Sequence, residues 1–201
     1  MKTILYRPSF PLVVSAYTVD SHLGDYYKQA SQKLSQSCID HDIQHVIYPL
    51  RASKNWFEGC SLKPAVIAHA LKTFQQPILW LDADAIILSY PEMFETISSG
   101  IALHVAEGGH WLSGTLYVSL NALDFVLHWQ SATDPAIADE ITLLQVYKQS
   151  KTQPQFTKLP KSYNQTIYQT TDRTGVKIGH FVRHDVAELQ GLESVPVELR
   201  P

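Results

Sequence analysis

Three short apolar runs constrain the fold of this 201-residue chain more than anything else in it: Phe10 to Tyr17 (FPLVVSAY), His45 to Leu50 (HVIYPL) and Ile78 to Leu81 (ILWL). Each has the length of a buried strand rather than a helix, and the first is rich in β-branched residues. Between the first two, Tyr26 to Ile39 places Ala30, Leu34 and Cys38 four apart, on one face of a helix. Between the second and third, a polar loop from Arg51 to Cys60 leads to a helix that Ser61 can cap and that runs to about Phe74. Its apolar face is made by Val66 and Ala70 with Ile67, Leu71 and Phe74. Strand, helix, strand, helix, strand is the order of a parallel sheet with helices on its faces.

Past Tyr90-Pro91 the pattern predicts a short helix over Glu92 to Ile97, and strands over Ile101 to Val105 and Gly114 to Ser119. It predicts helices over Ala122 to Gln130 and Ala138 to Gln149, and a late strand over Val176 to Val182. The expected fold class is α/β: a Rossmann-like, mixed but mostly parallel sheet flanked by helices, in a single domain spanning 1–201.

Composition removes several function classes. Lys and Arg number 16 against 19 Asp and Glu, a net charge of −3, which is the wrong sign for a basic nucleic-acid-binding face. No apolar run approaches the roughly 18 residues of a membrane span. The start of the sequence lacks the apolar core and small-residue cleavage site of a secretory leader, so a cytoplasmic location is expected. Cys38 and Cys60 match no Cys-x-x-Cys pattern. Two reduced thiols are the expected state in that compartment, with a disulfide left open. Nine histidines prompt a search for metal chemistry.

That search ends at Pro77 to Pro91, PILWLDADAIILSYP. Asp82 and Asp84 interrupt a stretch that is apolar on both sides. Leaving ionised carboxylates unpaired in such surroundings costs several kcal/mol each. If they continue the strand, i and i+2 share a side, and at the carboxyl end of a parallel strand that side opens on the crevice where α/β sheets bind ligands. A hard divalent cation, Mg²⁺ or Mn²⁺, would relieve the repulsion, and such an ion can bridge a diphosphate. The other reading places the pair in a turn, with one aspartate capping a helix and the other solvated.

WLDADAII, following the helix of LKPAVIAHAL, resembles the Asp-x-Asp region of nucleotide-sugar-dependent glycosyltransferases of the A-type fold. It is most similar to the retaining group that includes LgtC-like galactosyltransferases and glycogenin-like enzymes. Tyr90-Pro91-Glu92-Met93-Phe94 is similar to the downstream Pro and Phe of that region. SGTLYVS (113–119) is similar to its Asn-x-Gly strand, with Ser113 in place of Asn. ADEITLLQVY (138–147), LPKSYN (159–164) and GHFVRHD (179–185) are similar to its acidic helix, its Leu-Pro-x-x-Tyr-Asn element and its C-terminal His strand.

The resemblance implies a transferase that moves a sugar from a nucleoside diphosphate sugar, UDP-linked as first choice, to a glycan, lipid or protein acceptor, with Mn²⁺ or Mg²⁺ as cofactor. It implies a nucleotide-binding half over 1–90 and an acceptor-side half over 91–201. By position it implies Asp84 as principal metal ligand, Asp82 on the metal or the ribose, and His180 completing the metal site. Tyr17 and Thr18 would hold base and ribose, Lys63 would meet sugar or phosphates, and Asp139 would sit by the transferred sugar as the catalytic carboxylate.

Each residue also has a plainer reading. His180 competes with His184, which lies four residues on and beside Asp185. On one strand the two would stand roughly 13 Å apart, too far to share an ion. Lys63, in the first turn of a helix, opposes the helix dipole and could snorkel to water. Asp139 and Glu140 suit a helix N-terminus without any chemistry. Tyr17 and Thr18 could be an ordinary strand exit. His41 and His45 have zinc-protease spacing but lack its glutamate, and His45 begins a strand. The chain has no phosphate-binding P-loop, dinucleotide fingerprint or nucleophile elbow. Of the four tryptophans, Trp56 and Trp111 are the candidates to stack on a sugar ring. Two alternatives to a transferase stand beside it: a catalytically silent nucleotide- or sugar-binding module, and a two-metal phosphatase or nucleotidyltransferase.

Overall fold

The computed structural model describes residues 10–19, 25–51, 53, 56–167 and 173–181. Along the chain run β1 (Leu12–Thr18), α1 (Tyr26–Asp40), β2 (His45–Leu50), α2 (Trp56–Ser61), α3 (Lys63–Phe74), β3 (Ile78–Leu81) and β4 (Ala85–Ile87). They are followed by β5 (Ile101–Val105), β6 (Trp111–Val118), α4 (Leu123–Ala132), α5 (Asp139–Gln149), β7 (Phe156–Leu159), β8 (Gln165–Thr166) and β9 (Ile178–His180).

Six strands form the main sheet in the order β2-β1-β3-β6-β5-β7. β1 is parallel to β2 and β3, and β5 is parallel to β7, while β6 runs antiparallel to both of its neighbours, β3 and β5. The sheet is therefore mixed and mostly parallel, as the pattern of runs implies. A second, three-stranded sheet has the order β4-β9-β8.

Strand alternation explains the two cores. Leu12 and Val14 of β1 point to one face and join Ile67, Leu71, Trp80, Val126 and Trp129, the side covered by α3, α4 and α5. Val13 points to the other face and joins Leu34 and Cys38 of α1, Ile87 of β4, Phe94 and Ile178. Both faces of the central strands are buried, so those strands read as continuous apolar runs rather than alternating ones.

Several local expectations change. The loop from Arg51 to Cys60 contains the helical turn α2. Ser61 does not cap the next helix: its hydroxyl donates back to the Glu58 carbonyl at 2.7 Å, and Leu62 holds the cap position. Pro64, the second residue of α3, needs no backbone donor in a first turn. The helix expected over Glu92 to Ile97 is a 3-10 turn over Glu92–Glu95. Trp111 is no sugar platform, because it is buried and stacks on Phe156 with ring centroids 5.0 Å apart. His41 and His45 share no helix: α1 stops at Asp40, Asp42 takes a left-handed φ of 55°, and β2 opens at His45. Of the late strand, Ile178–His180 is described. Val182 and His184 lie outside the described residues.

Candidate functional site

The order β2-β1-β3 places β1 between strands that follow it on opposite sides, so the chain's winding reverses between β1 and β3. Open α/β sheets bind ligands beyond the carboxyl ends of strands at such a point. The elements that meet there are the end of β1 with Tyr17 and Thr18, the residues after β3, the start of α3 and the middle of β6.

Asp82 and Asp84 are not part of β3. They lie in a tight turn between β3 and β4, closed by the Ala85 amide donating to the Asp82 carbonyl at 2.9 Å. The argument from strand alternation therefore fails for this pair. What aims the two carboxylates is the turn itself, as the chain leaves the main sheet to pair with β9 in the small one. The Asp82 amide is held by the Gly114 carbonyl at 2.9 Å, and the Asp84 carbonyl accepts from the Phe181 amide at 3.1 Å. The turn is thus pinned by β6 on one side and by the end of β9 on the other.

The two aspartates then enter different surroundings. Asp82 faces Lys63, whose ammonium lies 3.1 Å from Asp82 Oδ1 and 2.9 Å from Asp139 Oδ2. The Trp80 indole N–H donates to the same Asp82 oxygen at 2.7 Å. Lys63 also donates to the Ser113 hydroxyl at 2.8 Å, and that hydroxyl donates to Asp139 Oδ2 at 2.7 Å. The Lys63 and Asp139 side chains are 4% and 2% exposed, that of Asp82 38%. Burial alone would lower the Lys63 ammonium and raise the Asp82 carboxyl. The opposite charges override it, so Lys63 is held firmly protonated and Asp82 stays below its ordinary value.

Among the described residues Asp84 has no such partner. Its side chain is 14% exposed, and its nearest basic group is His180, with Nδ1 3.8 Å from Oδ1. Burial, assisted by the charge of Asp82, pushes its carboxyl up despite His180. The other imidazole nitrogen, Nε2, pairs with Thr115 Oγ1 at 2.9 Å. When Nε2 carries the proton and donates to Thr115, Nδ1 presents a lone pair toward Asp84.

Gly114 separates the two clusters. A Cβ at this position would lie 3.0 Å from His180 Cε1 and 3.2 Å from both Asp82 Oδ2 and His180 Nδ1. Asp82 Oδ2, the oxygen that Lys63 does not take, and His180 Nδ1 thus face one common point beside Asp84. Among the described residues no three His, Cys, Asp or Glu side chains are assembled as a ready-made metal cage. The donor types at this point, two carboxylates and one imidazole, nevertheless suit Mn²⁺ or Mg²⁺. The glycine leaves room, and in the tautomer whose Nε2 donates to Thr115 the Nδ1 lone pair can ligate.

Tyr17 and Thr18 are half-buried at the carboxyl end of β1, and α2 approaches them: a Cβ on Gly59 would touch the Thr18 methyl at 3.9 Å. Lys63, read from the sequence as a phosphate or sugar contact, has its ammonium enclosed by Asp82, Asp139 and Ser113. Sequence reasoning gave no role to Trp80, Thr115, Gly114 or Cys60. Trp80 and Thr115 read as strand residues, and their partners are up to 65 positions away. Half-buried Cys60 on α2 sits near the Lys63 cluster, and burial and then Asp139 push its thiol well above the ordinary value. Glu140, beside Asp139, is pushed up to about 8, by burial first and by Asp139 second.

The sequence matches no protein-family model and no curated protein. Solved structures do share the fold. A glycosyltransferase involved in glycosylation of the major capsid of PBCV-1 superposes with a TM-score of 0.66 at 14% identity, over 91% of this chain and 99% of that one. The glycosyltransferase GlyE of Streptococcus pneumoniae TIGR4 gives 0.59 at 14% identity, over 88% of this chain and 56% of its own. The bifunctional glycosyltransferase WbbM gives 0.56 at 9% identity, over 89% of this chain and 46% of its own. The chain thus spans nearly all of the first protein but only about half of the other two. Among the described residues no helix is long and apolar enough to cross a membrane. The six-stranded sheet, its flanking helices and these three likenesses together give the chain the α/β fold of solved glycosyltransferases.

Proposed function

We propose that the chain transfers a sugar from a nucleoside diphosphate sugar, UDP-linked as first choice, to a glycan, lipid or protein acceptor. The observation that carries this reading is the convergence of Asp82 Oδ2 and His180 Nδ1 on the space left by Gly114, beside Asp84, at the winding reversal of the sheet. In this reading Asp84 and His180, with the outer oxygen of Asp82, hold Mn²⁺ or Mg²⁺. When bound, that ion supplies positive charge to the departing diphosphate. Tyr17 and Thr18, at the neighbouring strand end, orient base and ribose. Asp139, fixed by Lys63 and Ser113, places carboxylate charge near the sugar, where positive charge develops as the glycosidic bond breaks. Lys63 acts by holding Asp82 and Asp139 in place, without itself reaching a phosphate.

The test is UDP-sugar turnover with Mn²⁺ across a panel of donors and acceptors, for the native chain and Asp84→Asn. The expected loss in the variant is about 100-fold or more. Equal turnover by both proteins ends the reading. One observation favours another reading, a module that binds a nucleotide sugar without transferring it: the Lys63 ammonium is enclosed by its own carboxylates and is not free toward a phosphate. Mn²⁺-dependent thermal stabilisation by UDP, with no transfer to any acceptor, would select that module.

A further inference from the structure

The two oxygens of Asp82 have different surroundings. Oδ1 accepts from the Trp80 indole N–H at 2.7 Å and lies 3.1 Å from the Lys63 ammonium. Oδ2 borders the space over Gly114, 3.2 Å from where a Cβ would stand, and so does His180 Nδ1. A carboxylate turns about a broad, two-fold torsion, so nothing in Asp82 itself decides which oxygen faces that space. Lys63 is a poor arbiter. Its ammonium has three protons and stands 2.8 to 3.4 Å from four acceptors: Asp82 Oδ1, Asp139 Oδ2 and the Ser113 hydroxyl and carbonyl oxygens. Those protons also rotate at the end of a flexible stem.

Trp80 differs on each count. Its N–H is a single donor fixed in the plane of the ring. The residue is 4% exposed and belongs to the core that includes Val14, Ile67 and Leu116. A buried indole N–H needs an acceptor, and Asp82 Oδ1 supplies it. The Lys63 ammonium stands 5.7 Å from the ring centroid, so the ring face also favours the lysine's charge.

We propose that Trp80 is a positioning residue for the candidate cation site: its N–H holds Asp82 Oδ1 and so presents Oδ2 toward His180 and Asp84. With two donors already on Oδ1, Asp82 offers a hard divalent cation one oxygen and not a chelating pair. The role rests on the reading in which Asp82, Asp84 and His180 hold Mn²⁺ or Mg²⁺.

The test is a Mn²⁺ titration, with and without UDP, in which the EPR signal of free Mn²⁺ reports binding without any turnover. Trp80→Phe keeps an aromatic face beside Lys63 and removes the N–H. It should weaken Mn²⁺ binding by about tenfold or more. Replacement of Trp80 by β-(3-benzothienyl)alanine, which keeps the indole outline with sulfur in place of the N–H, should weaken binding to the same extent. That isostere decides the matter if the smaller ring unfolds the chain. In an Asp82→Ala background, Trp80→Phe should weaken binding no further, because Trp80 acts through that carboxylate. Native Mn²⁺ affinity in the Trp80 variants overturns the proposal. So does an equal fold-change with and without the Asp82 carboxylate, which marks a general packing effect. If the native chain binds no Mn²⁺ under either condition, the cation reading itself fails and the role falls with it.

Discussion

Gly114 stands between two clusters that use similar groups to opposite ends. On one side, Lys63, Asp82, Asp139, Ser113 and Trp80 satisfy one another at 2.7 to 3.1 Å. On the other, Asp84 and His180 stand 3.8 Å apart, and burial has pushed the Asp84 carboxyl up. The first set carries its own lysine, which pairs with both of its aspartates. The other set has only His180 near its buried carboxyl, and perturbed carboxyls of this kind mark candidate functional sites. An Asp-x-Asp pair is therefore not one device. Here Asp82 is tied to Lys63 at 3.1 Å, whereas the nearest basic group to Asp84 among the described residues is His180, at 3.8 Å.

The Lys63 side should break first and hardest. Lys63→Met leaves Asp139 buried without its cation, a loss that costs about 3–5 kcal/mol when one partner of a buried pair is removed. Urea unfolding near neutral pH measures it, and a loss below about 1 kcal/mol would place Lys63 among weak surface pairs instead. Gly114→Ala tests the space between the clusters. Its Cβ would press on the His180 ring at 3.0 Å and on Asp82 Oδ2 at 3.2 Å, so a destabilisation of about 1–3 kcal/mol is expected. The same variant should lose Mn²⁺-dependent stabilisation. If that stabilisation survives intact, the cation does not sit over Gly114.

How much of this could be read in the sequence divides along the same line. The runs FPLVVSAY, HVIYPL and ILWL form β1, β2 and β3 within a residue or two, because strands buried on both faces are written as continuous apolar runs. The residues Asp82, Asp84, Lys63, Asp139 and His180 could be singled out, and they do meet in one region. What they touch could not be singled out. Lys63 and Ser113 are 50 positions apart, and Thr115 and His180 are 65 apart. No local pattern encodes pairings made by sheet order. The three residues of β4 are also hidden, since AII continues the run after Asp84 and only its pairing with β9 makes it a separate strand. The turn between Asp82 and Ala85, the plainer reading of the pair, is the feature that sends the two carboxylates into different surroundings.

The weakest of these effects is also the most discriminating, because its sign reverses between residues two positions apart. Asp82 has a lowered carboxyl, so its ionised form contributes stability above the unfolded value near 3.9, and that contribution is lost as pH falls through the lower folded value. With its side chain 38% exposed, solvent screening holds the contribution to a fraction of about 1 kcal/mol. Asp84 has a raised carboxyl, so its contribution is complete below the unfolded value and is lost as pH rises through the folded one. Urea unfolding from about pH 3 to 7 should therefore show Asp82→Asn weaker than the native chain near neutrality, with the gap closing toward acid. Asp84→Asn should gain on the native chain as pH rises. Two gaps of the same sign would mean that both carboxylates belong to one cluster. Because the Asp82 charge is itself one cause of the raised Asp84 carboxyl, the two effects should not add: in the double variant the gain from Asp84→Asn should be smaller than in the native background.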